Sequence, residues 1–192
     1  RMIVTRVMDD GTQTLGIISI YAEDEQTVLY RLVSSELPWK GNQNSISSIP
    51  TDLYRVKSYK NERHGACYWI FGNKAGNYAN DKLFGNGYIR SEVLIHRAPK
   101  APDWLKGCIG PGFKINTSRQ PIQTGSQKGT GTKYKNPSLA ESISAMAKIN
   151  GTLYSVGSYK MEVKNLNGVP NGSLPKTFDE SVATVFRNAG LM

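Results

Sequence analysis

Cysteine and histidine are scarce in this chain, two of each in 192 residues. Two cysteines build no disulfide framework, so the fold must rest on an ordinary apolar core, for which the length suffices. A single bridge between Cys67 and Cys108 stays open. Long apolar runs are missing as well: nothing approaches the roughly 20 residues a membrane helix needs. The first residues, Arg1-Met2-Ile3-Val4-Thr5-Arg6, alternate and lack the apolar stretch of a secretory signal; Arg1 reads as the start of a trimmed chain or fragment. Acidic residues are short in one half only. Residues 1–96 hold 11 basic and 10 acidic side chains, and residues 97–192 hold 13 and 5. Within 97–135, eight basic residues stand against Asp103 alone. Such a field favours a polyanionic partner, and a solvated basic surface explains it as well.

What is present is glycine, proline and alternation. With 19 Gly, 9 Pro and 39% hydrophobic residues the composition fits a turn-rich, mainly β protein. Strands are predicted at Met2–Met8, Thr14–Tyr21 and Thr27–Val33, with Gly16 marking a bulge or close approach. Ile49–Tyr59 and the apolar run Ala66–Phe71 follow, and then a short strand, Val93-Leu94-Ile95, that ends in His96. Residues 116–137 are poor in apolar side chains and predict a flexible loop or linker. Ser138-Leu139-Ala140-Glu141 and Thr177-Phe178-Asp179-Glu180 both read as capping boxes. The first opens a helix with Leu139, Ile143, Met146 and Ala147 on one face, ended by Gly151. The second opens one with Val182, Val185, Phe186 and Ala189, ended by Gly190. A strand, broken near Gly157, is predicted over Thr152–Val163. The expected fold is mainly β, a sandwich- or barrel-like sheet with two short peripheral helices in the C-terminal third. Three parts are expected: a β-rich domain over 1–115, the linker over 116–137, and a helix-strand-helix extension over 138–192 packing on the core.

The chemistry concentrates in Tyr88–Gly112. A strand delivers His96, a Pro- and Lys-rich loop follows, and Gly107-Cys108-Ile109-Gly110-Pro111-Gly112 sets a cysteine in a constrained turn. This is an arrangement that brings a thiol to a base. Cys108 is the candidate nucleophile, and Lys106, Lys100 and Arg97 are positive neighbours able to lower its pKa. His96 is the candidate base, and the amides of Gly107 and Cys108 are candidate oxyanion donors. Trp104 lies in the loop between His96 and Cys108, where a large ring would line or plug a site. The plainer reading makes Cys108 a small core residue and His96 a strand-end residue bonded to a loop carbonyl. His64-Gly65-Ala66-Cys67 with His96 and Cys108 would make a two-His, two-Cys zinc set, but the second pair has a spacing foreign to such sites, so no metal is expected. No cofactor is implied. Gly125–Gly131 lacks the ending and the preceding strand of a phosphate loop, and only charge speaks for nucleic acid.

Three stretches in this order carry a resemblance: Leu37-Pro38-Trp39 with Asn42 ahead of Ile49-Pro50-x-x-x-Tyr54-x-Val56; Arg90-Ser91-Glu92-Val93-Leu94-Ile95-His96; and Gly107-Cys108-Ile109. Over roughly residues 10–115 the chain resembles a family of uncharacterised domains of bacteriophages and prophages. That family is distantly similar to the catalytic domain of L,D-transpeptidases, which carry Thr-Pro-x-Gly-x-Phe, His-Gly and Ser-His-Gly-Cys motifs. Here Asp52 stands where the first motif has Gly, Arg97 follows His96 in place of Gly, and Lys106 precedes Gly107-Cys108 in place of His. The resemblance implies a β-sandwich-like catalytic fold, a Cys108 nucleophile with His96 as base, and the Arg97 carbonyl orienting the His96 ring. Lys106, Trp104, Lys100 and Tyr54 would contact substrate. It further implies a virion or tail protein that binds or cleaves cell-wall peptide, with cell-wall peptide or polyanionic polymer and other virion proteins as partners and no membrane. The virion, or the bacterial cytoplasm before assembly, would be its location. The competing class is a virion structural protein that keeps the fold without the chemistry.

Overall fold

The protein was analysed as a computed structural model that describes residues 1–78, 81–99, 101–124 and 127–192, with the side chains of 118–136 outside the description. The chain is mainly β, 43% strand against 18% helix. Strands β1 (Met2–Asp9), β2 (Thr14–Tyr21), β3 (Val28–Glu36), β4 (Asp52–Asn61) and β5 (Gly65–Asn73) come first. Short strands β6 (Leu83–Gly85), β7 (Tyr88–Arg90), β8 (Val93–Ile95) and β9 (Gly110–Gly112) follow. A long hairpin, β10 (Lys114–Thr124) and β11 (Gln127–Ala140), leads to helix α1 (Ser142–Leu153), strand β12 (Ser158–Asn165) and helix α2 (Glu180–Asn188).

Eight strands form one sheet in the order β8-β5-β4-β12-β1-β2-β3-β9. All neighbours are antiparallel except β1 and β12. The two edge strands then meet. Ile95 bridges Ile109, the His96 amide donates to the Ile109 carbonyl at 3.1 Å, and the Ile109 amide donates to the Leu94 carbonyl at 2.9 Å. The sheet is thus a nearly closed barrel, and closure removes the two unpaired edges that an open sheet would expose.

Local chemistry explains the entry into this sheet. The Asp9 and Asp10 carboxylates accept the amides of Gly11, Thr12 and Gln13, which fixes the turn between β1 and β2. Gly16 lies where the β1–β2 register shifts between Arg6 and Met8, and a Cβ there would stand 2.5 Å from the Thr5 carbonyl oxygen. Only glycine permits that approach.

One face of the sheet encloses a core of Val4, Ile18, Ile20, Leu32, Val56, Tyr68, Ile70, Val93, Ile95 and Ile109. Helix α1 completes it with Ala145, Met146, Ile149 and Leu153, and the Tyr68 hydroxyl donates to the Ile149 carbonyl at 3.2 Å. A second cluster on the opposite face of β1–β3 packs Leu15, Ile17 and Val33 beneath α2 and the base of the hairpin. A buried ion pair joins the strands to the following loop: Arg6 bonds Glu36 through two 2.7 Å contacts and donates to the Ile49 carbonyl at 2.6 Å.

Three expectations change. Of the 116–137 stretch, predicted as a loop or linker, the described residues 116–124 and 127–137 belong to β10 and β11; its polar, Thr-rich composition alternates too little to register as a strand pattern. The 138–192 stretch does not merely pack on the core, because β12 inserts between β1 and β4. Finally, Ser138–Ala140 belongs to β11, so α1 begins at Ser142 after Glu141 turns at φ 58°. Its buried face is Ala145, Met146, Ile149 and Leu153, Ile143 is 56% exposed, and the helix runs past Gly151. For α2 the cap is Asp179, whose carboxylate accepts the Val182 amide at 3.0 Å.

Candidate functional site

The seam that closes the barrel also brings His96 and Cys108 to the wall of one cavity. Val93 and Ile95 point into the core, so alternation turns Leu94 and His96 to the outer side, and Cys108 arrives beside them one residue before the Ile109 bridge. Together they line a cavity of about 490 Å³, with Tyr59, His64, Trp69, Glu92, Trp104 and Lys106. Asn44 and Ser45, from the irregular loop before β4, form another part of its wall.

His96 is buried, 2% exposed. Its Nδ1 lies 2.7 Å from the Arg97 carbonyl oxygen. A carbonyl only accepts, so Nδ1 carries the proton and Nε2 is left as the basic nitrogen. Burial pushes the imidazolium down to about 4, the Arg97 carbonyl works against that shift, and His64, Arg63 and Arg97 add to it. The His64 ring lies against His96, with centroids 4.0 Å apart and the planes tilted by 35°. His96 is therefore a neutral imidazole at pH 7.

Cys108 is partly buried and receives the Leu94 amide on Sγ at 3.4 Å. Burial raises its thiol above the ordinary value; the Leu94 amide, Arg90, Arg63 and the Lys106 amide oppose this without reversing it. This corrects the expectation of a thiol activated in the resting state by nearby lysines. Lys106 is exposed, and the loss of solvent around the Cys108 thiol outweighs it. Cys67, the other free thiol, is fully buried and pushed up to about 11.

Arg90 supplies the positive charge nearest the turn. Its guanidinium is buried and donates to the Ser47 carbonyl at 2.8 Å and the Gly107 carbonyl at 3.0 Å. Gly107 sits at φ 94°, and a Cβ would fall 1.8 Å from Arg90 Nη2. Glycine is thus required both for the left-handed turn and for the arginine beneath it.

The structure gathers His96, the Arg97 carbonyl, Lys106, Gly107, Cys108 and Trp104 at one place. Tyr54 is not among them: it is 1% exposed in the core, its hydroxyl donating to the Pro50 carbonyl at 2.6 Å. Its position on β4 faces inward with Val56, so the expected substrate contact is a packing residue. Lys100 lies outside the described residues. Sequence reasoning missed Arg90, Tyr59 and Trp69, and it considered His64 only as a metal ligand. Arg90 did carry a signal, as the one charged residue closing the short Tyr88–Arg90 strand. Tyr59 and Trp69 reach the cavity through strand pairing, and His64 through the turn that joins β4 to β5. Among the described residues no group of three or more His, Cys, Asp or Glu is gathered to hold a metal ion. No helix among them is long and apolar enough to cross a membrane.

No known protein family, curated protein or solved structure matches this chain.

Proposed function

We propose that this domain carries out acyl transfer on bacterial cell-wall peptide, with Cys108 as nucleophile and His96 as general base, in a phage protein borne on a virion or tail. One observation carries the reading. The Arg97 carbonyl fixes His96 in the tautomer whose Nε2 is free, on the strand that closes the barrel against Cys108, at a shared cavity. A volume of about 490 Å³ suits a short stretch of peptide stem.

Cys108 and His96 rest as a neutral pair. As Sγ attacks the peptide carbonyl carbon, its proton passes to His96 Nε2, and the carbonyl electron pair moves to oxygen, met by the amides of Gly107 and Cys108. Collapse of this intermediate breaks the C–N bond. The imidazolium returns its proton to the departing amine, leaving a thioester on Cys108. Water or a second amine, deprotonated by His96, then attacks the thioester and frees Sγ. Lys106 and Trp104 at the mouth contact the substrate, and Arg90 holds the Gly107 turn.

The second reading is a virion structural protein that keeps the fold without catalysis. The raised Cys108 thiol favours it, as does Lys106 standing where the transpeptidase motif has His. Incubation with purified peptidoglycan, read by mass spectrometry of released stem peptides, separates the two. Acyl transfer requires shortened or exchanged stems and an acylated Cys108, both lost in Cys108→Ala and at least about 100-fold reduced in His96→Gln. Unchanged stems with wild-type protein would leave the structural reading.

A further inference from the structure

The outer face of β4, β5 and β12 carries a feature that the chemistry above does not use. Arg55, Lys57 and Tyr59 alternate outward on β4, and the register sets Phe71 opposite Arg55 and Trp69 opposite Lys57. Lys57 Nζ stands 4.3 Å from the Trp69 ring centre and 4.8 Å from that of Phe71, and the Arg55 guanidinium stands 4.8 Å over Tyr78. From β12, Lys160 lies opposite Arg55.

Two cavities lie along this face. Tyr59 and Trp69 line the one that holds Cys108. Arg55, Phe71, Tyr78 and Lys160 line a second, of about 650 Å³, where Glu25 is the acid and Arg1 is engaged by Glu162 at 2.6 Å. A track of rings and cations therefore runs from the second cavity to the first. The face of β1–β3 is roofed by α2, whereas this one is open. The Trp69 indole N–H, at the junction, is buried without an acceptor among the described residues.

We propose that this track binds a carboxylate-bearing glycan strand, with sugar C–H faces against the exposed Tyr59 ring and carboxylates on Arg55, Lys57 and Lys160. The choice of polymer rests on the acyl-transfer reading: unsubstituted sugars on the track would bring the peptide branch of a neighbouring sugar to the adjoining cavity. Charge complementarity supports an acidic chain. A nucleic acid fits less well, since Lys57 occupies the faces of Trp69 and Phe71 on which bases would stack.

The experiment measures binding of peptide-free glycan strands, stripped by an amidase so that each muramic acid bears a free carboxylate, using isothermal titration with the full chain. Arg55→Glu/Lys57→Glu, both on an outward face, should weaken binding at least tenfold with an unchanged melting curve. Arg31→Glu, on exposed β3, serves as the control and should leave binding unchanged. Reducing the carboxylates to alcohols should also weaken it. Absence of binding by wild-type protein, or equal binding by the double variant, would overturn the proposal. So would an oligothymidylate that binds as tightly and with the same dependence on Arg55 and Lys57. Cys108→Ala should bind the strands as wild type does, so loss of catalysis and loss of the track are read separately.

Discussion

At the scale of single residues the site is set by desolvation more than by charge. The basic residues around Cys108 suggest a thiolate, yet burial outweighs them and leaves the thiol protonated at pH 7. Iodoacetamide should therefore label Cys108 more slowly than a free thiol at pH 7, with the rate rising at alkaline pH. Labelling as fast as that of an activated thiol at neutral pH would contradict this. Cys67 should label more slowly still until the protein unfolds. Gly107 is constrained from two sides, by φ 94° and by Arg90. Gly107→Ala should cost at least about 2 kcal/mol, from the left-handed strain and the displaced guanidinium together. Urea unfolding of the variant checks this, and a midpoint equal to wild type would show that the turn is looser than drawn.

At the scale of elements, the helices illustrate how local and tertiary signals divide. Helix α2 is begun by its own sequence, through the Asp179 carboxylate on the Val182 amide. Asp179→Ala should lower stability by about 1 kcal/mol, the usual worth of such a cap, measured by thermal or urea unfolding. Helix α1 has no side-chain cap and starts where β11 ends. Its Ser142 hydroxyl instead accepts the Ala98 amide at 2.8 Å, which ties the helix to the loop after His96. The strands show a similar division. Arg6 on β1 and Glu36 on β3 are both buried and joined by two hydrogen bonds. Arg6→Met would leave Glu36 as an uncompensated buried charge and should destabilise the fold by about 3–5 kcal/mol. The double variant Arg6→Met/Glu36→Leu should recover much of that loss, and equal instability of the two would assign the cost to packing.

At the scale of the whole molecule, one buried imidazole couples folding to pH. His96 titrates at about 4 in the folded chain against an ordinary value of 6.5. Between those values the unfolded chain binds a proton that the folded chain does not. The stabilisation is fully present above pH 6.5 and is lost as pH falls through about 4, about 3 kcal/mol in all. Wild type and His96→Gln compared by urea unfolding at pH 7 and pH 4 isolate this contribution from that of the carboxylates. An identical loss in both would show that His96 is not its source. On the acyl-transfer reading, activity should keep its base across the neutral range, because His96 stays unprotonated well below pH 7.

Alternation and turn chemistry were enough to read β1 to β4, and an apolar run to read β5, because the residues these strands turn into the core repeat with period two and the rest of β5 is apolar as well. The spacing of His96 and Cys108 around a Pro-rich loop was likewise enough to point at one cavity. The long β10–β11 hairpin escaped, since its polar sequence carries no buried stripe to mark a strand. The central position of β12 escaped too: parallel pairing with β1 joins residues some 160 apart in the chain, and no local pattern encodes such a partner. The same holds within the site. The candidate nucleophile and base could be read from residue type. Arg90 under Gly107, His64 against His96 and the inward turn of Tyr54 were decided by closure of the barrel. The protonation states followed from the same cause, because desolvation depends on what surrounds a group in space and not on which charges neighbour it in the chain.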